Sequence, residues 1–384
     1  MASWDSRAGT RRSSCRKAWV QIPPRVIERQ VRQHRRARKN DRAGTSRRHT
    51  VWVTAHSLTV PRKLRRGDTL RVVAPARSRQ FVADHDHGDV IDARFAALGL
   101  RLTFGEHVDE RDDFESSPVA SRVSDLHAAF ADPQVAGILT VIGGFNSNEL
   151  LPHLDWDLIA ANPKIFCGYS DITTVQNAIL ARAGLITYSG PHWSSFGMRD
   201  HFEQTQRWFA QALFDEGPID LHPAQAWTDD QWFLDQDNRT VHPGQGWWPL
   251  RPGQATGRII GGNLGTLNLL QGTGYMPSLG GALLMIEDDA TSDADTFARN
   301  LTSLLQIPDA IGVQGLVIGR FQQASGVTRS LLEQIIARQD RLEGLPVLGN
   351  VDFGHTNPLA TFPIGGQAAL TVGTASSLRI ADSP

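Results

Sequence analysis

Cysteine is almost missing from this chain: 384 residues contain two, Cys15 and Cys167. Two thiols so far apart exclude a disulfide framework and a cysteine-based metal site, and they fit a reducing compartment. Long apolar runs are missing as well. No window approaches the roughly 18 uncharged apolar residues that a membrane span requires. The short run Ala18-Trp19-Val20-Gln21-Ile22 is broken by Pro23-Pro24, which is not the pattern of a secretory leader. We therefore expect a cytoplasmic protein without a membrane partner. There is no internal repeat.

Acidic residues are scarce in one region only. Residues 1–57 carry 13 Arg and 2 Lys against Asp5, Glu28 and Asp41, a net charge of +12, while the rest of the chain has a net charge of −13. Clusters such as Arg35-Arg36-Ala37-Arg38-Lys39 repel one another and bury nothing. Residues 1–57 are expected to be a basic, disordered extension. Such an arm invites a nucleic-acid reading, testable by salt-dependent binding, but nucleic acid is not among the expected partners.

What is present is apolar and glycine-rich: 40% hydrophobic residues and 35 glycines. From Leu58 the pattern alternates between buried strand and amphipathic helix. Thr69 to Ala76, Leu102 to Phe104, Gly137 to Ile142, Lys164 to Gly168 and Leu185 to Tyr188 read as strands. Asp89 to Leu98 and Val119 to Phe130 read as helices between them. This alternation predicts a parallel sheet covered by helices, with ligands at the carboxyl ends of its strands. Residues 58–221 form the expected N-terminal α/β domain. Residues 222–254, with Trp227, Trp232, Trp247 and Trp248, read as a loop or linker whose tryptophans either line a pocket or plug a junction. Residues 255–384 form a second, smaller α/β domain. Its expected parts include a strand, glycine turn and helix start across Gly257 to Leu264, strands at Ala282 to Ile286 and Gly315 to Gly319, and a helix at Ala294 to Leu305.

Three chemistry-bearing groups stand at expected strand ends. Ser170 follows the strand that closes at Gly168, where a helix starts at once. A hydroxyl at such a turn is lifted out of the sheet beside free backbone N–H groups. On that stretch alone, the plainer reading of Ser170 and Asp171 is as helix caps, and it is the rest of the chain that shifts the balance. The acids Glu287, Asp288 and Asp289 end a second-domain strand, and the residues alone do not choose among them. His355 follows a glycine in a turn. A serine nucleophile needs an imidazole to take its proton and a carboxylate to orient that imidazole. It also needs backbone donors for the oxyanion. The amide of Asp171 and one from Gly143-Gly144-Phe145 are the candidates, and we assign the second to Gly144.

Taken together, Gly143-Gly144-Phe145-Asn146-Ser147, Gly168-Tyr169-Ser170-Asp171-Ile172-Thr173, Gly261-Gly262-Asn263-Leu264, Ile286-Glu287-Asp288 and Gly354-His355-Thr356-Asn357-Pro358 resemble the successive motifs of the LD-carboxypeptidase family of serine peptidases. That family includes muramoyltetrapeptide carboxypeptidases and microcin C self-immunity peptidases. The resemblance implies an N-terminal Rossmann-like domain plus a smaller C-terminal α/β domain, with the active site at their interface. It implies Ser170 as nucleophile, Glu287 as the acid and His355 as the base, in a homodimer that uses no metal and no cofactor. The substrate would be a small peptide, a murein peptide or a peptidyl-nucleotide. Asn263, Trp227 and Trp232 are candidate substrate-binding residues, one of the tryptophans stacking on a nucleotide. The rival reading is a catalytically silent peptide- or nucleotide-binding module.

Overall fold

Apolar runs that stop at glycine become the inner strands of two sheets in the computed structural model, which describes residues 58–82 and 87–381. The basic extension, with Cys15, lies outside the described residues. The first half of the chain runs β1 (Thr69–Val73), α1 (Gly88–Leu98), β2 (Arg101–Phe104), α2 (Val119–Ala131), β3 (Val135–Thr140), α3 (Trp156–Ala161), β4 (Ile165–Gly168), α4 (Thr173–Ala183), β5 (Thr187–Ser189) and α5 (Glu203–Phe214). The short strands β6 (Ile219–Leu221), β7 (Ala226–Trp227), β8 (His242–Pro243) and β9 (Trp248–Arg251) follow. The remainder is β10 (Gly253–Asn263), α6 (Leu264–Asn268), β11 (Ala282–Glu287), α7 (Ala294–Leu305), β12 (Gly315–Gly319), α8 (Arg329–Ala337), β13 (Val347–Val351), β14 (Phe362–Ile364), β15 (Gln367–Val372) and β16 (Ser377–Ala381).

The first sheet has the order β14-β5-β4-β3-β1-β2, parallel except for β14. Every residue of β3 and β4 is buried, as expected for strands covered on both faces. The second sheet has the order β6-β16-β15-β10-β11-β12-β13-β9, with a parallel centre from β10 to β13 and antiparallel edges. Strand exchange stitches the two sheets together. β6 pairs with β16 in the second sheet, while β14 from the late sequence pairs with β5 in the first. The 222–254 stretch, expected as loop or linker, contains β7, β8 and β9, and β9 forms an edge of the second sheet.

Two local findings fix the geometry of the site. The expected glycine turn at Gly261-Gly262 is instead the end of an 11-residue strand, β10. The glycines are there for close approach. Gly262 has φ +114°, and a Cβ on it would lie 2.4 Å from Thr173 Oγ1. Through that contact β10 docks on α4: the Asn263 N–H donates to Thr173 Oγ1 at 2.9 Å, and Asn177 Nδ2 donates to the Gly261 carbonyl at 2.9 Å. α4 is buried nearly throughout, polar residues included, and the Gln176 and Asn177 amide N–H groups and the Thr173 and Thr174 hydroxyls find partners there. Gln176 Nε2 donates to the carbonyls of Gly168 and Tyr188, which ties the helix back to the strand preceding Ser170.

Candidate active site

Ser170 begins a single 3-10 turn, Ser170–Ile172, between β4 and α4. Neither Ser170 nor Asp171 caps the helix with its side chain. The Asp171 carboxylate turns back and accepts the Ser147 N–H at 2.9 Å, while Ser147 Oγ donates to the Asp171 carbonyl at 2.7 Å. These bonds clamp the glycine loop after β3 against the serine turn. Burial pushes the Asp171 carboxyl upward, and the Ser147 and Asn146 donors oppose that rise. Ser170 itself has φ +61°, in the left-handed region. That conformation costs a residue with a Cβ about 1–2 kcal/mol. The surrounding clamp holds it and aims the hydroxyl out of the sheet. We expect Ser170→Gly to unfold with a free energy about 1–2 kcal/mol higher than Ser170→Ala. Both lack the hydroxyl, so their comparison by urea titration isolates the backbone, and equal stabilities would count against a strained elbow.

Glu287 ends β11 and is buried, 3% exposed. His355 lies in the turn after β13. A glycine on each side allows their approach. At Gly319 a Cβ would lie 2.7 Å from Glu287 Cβ; at Gly354, where φ is +106°, it would lie 2.8 Å from Glu287 Oε2. His355 Nδ1 is 2.7 Å from Glu287 Oε2, and His355 Nε2 is 3.0 Å from Ser170 Oγ. Three groups spread over 186 residues of chain thus form one hydrogen-bonded line. With Nδ1–H donating to the carboxylate, Nε2 is left as the acceptor for the serine O–H.

The electrostatics concentrate proton uptake on one imidazole. Burial alone would lower the His355 pKa, but the Glu287 charge and hydrogen bond, with Asp289 and Asp288 behind them, raise it overall. His192, whose Nδ1 pairs with Thr140 Oγ1 at 2.8 Å, is pushed down to about 3 by burial and then by His355. It therefore stays neutral. Tyr169 stacks on His192 with centroids 4.3 Å apart and reaches within 5.2 Å of the His355 ring. Burial, helped by the Glu287 charge, moves its phenol up to about 12, so it too stays neutral. Asp288 is raised to about 6, chiefly by burial, and accepts from Asn263 Nδ2 at 3.2 Å. Sequence reasoning did not single out Tyr169 or His192 as site residues. Their signal was position: Tyr169 precedes Ser170, and His192 follows β5 at a carboxyl end.

The remaining candidates are distributed as follows. Gly143 faces the serine: a Cβ there would be 3.1 Å from Ser170 Oγ and 3.5 Å from the Asp171 nitrogen. Gly144 is next along and packs against Ala76 and the Arg77 backbone. Asn263 caps α6 through its Oδ1, which accepts the Thr266 N–H at 3.0 Å. Trp232 lines a small pocket with Tyr169, Ser195 and His355, and also a larger cavity next to it. Trp227 stands farther off, on His242 at 4.7 Å and under the Arg320 guanidinium. Trp247 is structural, its Nε1 donating to Asp352 Oδ2 at 2.9 Å. Trp232 thus lines a pocket, while Trp247 is held by a hydrogen bond to the turn after β13.

Comparison with known proteins agrees with this arrangement of motifs. Residues 70–190 match the LD-carboxypeptidase N-terminal domain and residues 256–370 match the LD-carboxypeptidase C-terminal domain. YocD of Bacillus subtilis (strain 168), provisionally named a carboxypeptidase, is 47% identical over 310 residues, or 80% of this chain and 94% of YocD. The chain belongs to the LD-carboxypeptidase family. A crystal structure of an MccF-like protein from Bacillus anthracis str. Ames has the same fold, with a TM-score of 0.83 at 45% identity over 84% of this chain and 99% of that one. The structure of MccF in complex with glutamyl sulfamoyl guanosine gives a TM-score of 0.75 at 27% identity, over 84% and 98% of the two chains. The Rossmann-like first half and the α/β second half expected of an LD-carboxypeptidase are therefore the fold of this protein. Among the described residues no helix is long and apolar enough to cross a membrane.

Proposed function

We propose that this LD-carboxypeptidase family member is a serine peptidase that cleaves an amide near the C-terminus of a small peptide or peptidyl-nucleotide. The observation that carries the reading is the unbroken line from Ser170 Oγ through His355 to Glu287. Both contacts fall within the reach that proton transfer and orientation require.

Ser170 Oγ attacks the substrate carbonyl while His355 Nε2 takes its proton. Glu287 holds the Nδ1–H tautomer and stabilises the imidazolium that forms. The tetrahedral oxygen takes its negative charge toward the amides of Asp171 and Gly144. Such donors act before the reaction begins, without reorganising at the transition state. Collapse of the intermediate breaks the C–N bond, and His355 hands its proton to the departing nitrogen. Water then attacks the acyl-serine, losing a proton to His355, and the carboxylic acid leaves as Ser170 recovers its hydrogen. No step needs a metal or a redox partner. The homodimer in this reading is what the family resemblance implies, and the cytoplasmic setting is what the scarcity of cysteine suggests.

Two substrate classes fit. The family name points to the L–D bond of a murein peptide, and the MccF complex points to an acyl group joined to a nucleoside through a sulfamoyl link. We expect one of the two, an L–D murein tetrapeptide or a glutamyl sulfamoyl nucleoside, to be hydrolysed by the full-length protein. Product analysis by chromatography reads this directly. Recovery of both compounds intact under conditions where the protein is folded would favour the silent binding module.

A further inference from the structure

A buried arginine is bonded to the backbone around the glycine loop. Arg122, on α2, has a side chain only 2% exposed. Its Nη1 donates to two carbonyls, those of Pro75 and Asn146, each at 3.2 Å. Its Nη2 donates to Glu149 Oε2 at 2.7 Å. The Glu149 side chain is about half exposed, so water screens that ion pair, whereas the carbonyl bonds are buried. A guanidinium offers five N–H donors in one rigid plane, so one side chain can hold two loops at a fixed spacing.

Both carbonyls belong to segments that border Gly144. Pro75 lies in the loop after β1, and the next two residues meet the glycine. A Cβ on Gly144 would lie 3.0 Å from Ala76 Cβ and 3.1 Å from the Arg77 nitrogen. Asn146 stands two residues after Gly144. The peptide that joins Asn146 to Ser147 is gripped at both ends. Arg122 holds its oxygen, and the Asp171 carboxylate holds its N–H at 2.9 Å. A cation on the carbonyl and an anion on the N–H favour the same orientation of that peptide plane. The Asn146 side chain is fixed as well, its Nδ2 donating to Ser116 Oγ at 2.9 Å. Asp171 also supplies, through its backbone amide, the other donor assigned to the oxyanion. Arg122 and Asp171 thus hold the loop between them.

We propose that Arg122 is a positioning residue of the reaction, fixing the glycine loop so that the Gly144 amide meets the oxyanion. It touches no reacting atom. The role depends on the peptidase reading and adds to it the group that keeps one of the two oxyanion donors in place. A displacement of about 1 Å in such a site costs about a hundredfold in rate, and outright loss of one donor costs about 10²–10³. The full negative charge on that oxygen exists only after Ser170 has attacked. The cost should therefore fall on kcat and spare KM.

Steady-state hydrolysis of the L–D murein tetrapeptide and of the glutamyl sulfamoyl nucleoside tests this. It compares full-length wild type, Arg122→Met, Arg122→Lys and Glu149→Gln, with Ser170→Ala as control and a urea titration of each. Arg122→Met keeps an unbranched stem without the donors. It should lower kcat about a hundredfold and leave KM within about threefold. Arg122→Lys, whose ammonium can still serve a carbonyl, should recover part of the loss. Glu149→Gln keeps both carbonyl bonds and should stay within about threefold of wild type in kcat. An unchanged kcat in Arg122→Met, a loss carried by KM, or equal damage from Glu149→Gln would overturn the proposal. If Arg122→Met does not fold, the other two variants decide: Arg122→Lys should lower kcat where Glu149→Gln does not, and the reverse would overturn it. Hydrogen-exchange mass spectrometry needs no turnover. The amides of residues 143–147 should exchange at least about tenfold faster in the folded Arg122 variant, with those of β3 and α4 unchanged. Unchanged exchange in that loop would overturn the role even if neither compound were a substrate. Activity that survives Ser170→Ala would instead strike the peptidase reading, so the two failures are told apart.

Discussion

Replacing Ser170 with alanine is expected to lower kcat by about four to six orders of magnitude, as loss of a nucleophile does in triad hydrolases. The expectation follows from placement. Ser170 Oγ is the one atom of the line that faces both the His355 imidazole and the Gly143 side of the glycine loop. Without it no acyl-enzyme forms, and only substrate positioning and the backbone donors remain. Little else should change. The variant loses one part-buried hydrogen bond, worth about 1 kcal/mol, while the Asp171–Ser147 clamp and the docking of α4 on β10 do not involve the hydroxyl. Circular dichroism and a urea titration should therefore match the parent closely. Activity within tenfold of wild type would remove Ser170 from the mechanism.

Glu287→Gln should cost about four orders of magnitude in kcat, the loss seen when the orienting acid of a triad becomes an amide. A glutamine at this position can donate to Nδ1 and so favour the tautomer whose Nε2 carries the hydrogen. That imidazole cannot accept from Ser170. The substitution should also leave a signature in the pH profile. His355 works as a base only when unprotonated, so activity is lost as pH falls through its pKa. In the wild type Glu287 helps hold that pKa above the ordinary histidine value against the effect of burial. With the charge gone, burial gains ground and the acid limb of kcat/KM moves to lower pH. A purely structural role for Glu287 would reduce activity without moving the limb, and rates measured from pH 4 to 9 separate the two.

The legible part of this fold was the part whose physics is local. Strands β3, β11 and β12 are unbroken apolar runs, and α7 carries Phe297, Leu301, Leu304 and Leu305 on one face after the Asp293 cap. Sequence reasoning located all four. The positions of Ser170, Glu287 and His355 followed from strand ends and from the motif resemblance together, because the residues alone did not choose among the acids at 287–289. Elements set by long-range packing were hidden. The β10 glycines read as a turn because nothing local reveals that Thr173, 89 positions earlier, needs the space a side chain would fill. The pairing of β14 with β5 and of β6 with β16 was equally invisible, since three-residue strands acquire their identity from their partners.

If Ser170 is the nucleophile, Ser170 itself becomes acylated during turnover. Mass spectrometry of protein quenched with acid during turnover of a hydrolysed substrate tests this most directly, with proteolysis to locate any added mass. A transient adduct, equal to the acyl portion of the substrate, should appear on the peptide that contains Ser170. An adduct confined to another residue, or continued turnover by the Ser170→Ala protein, would contradict it.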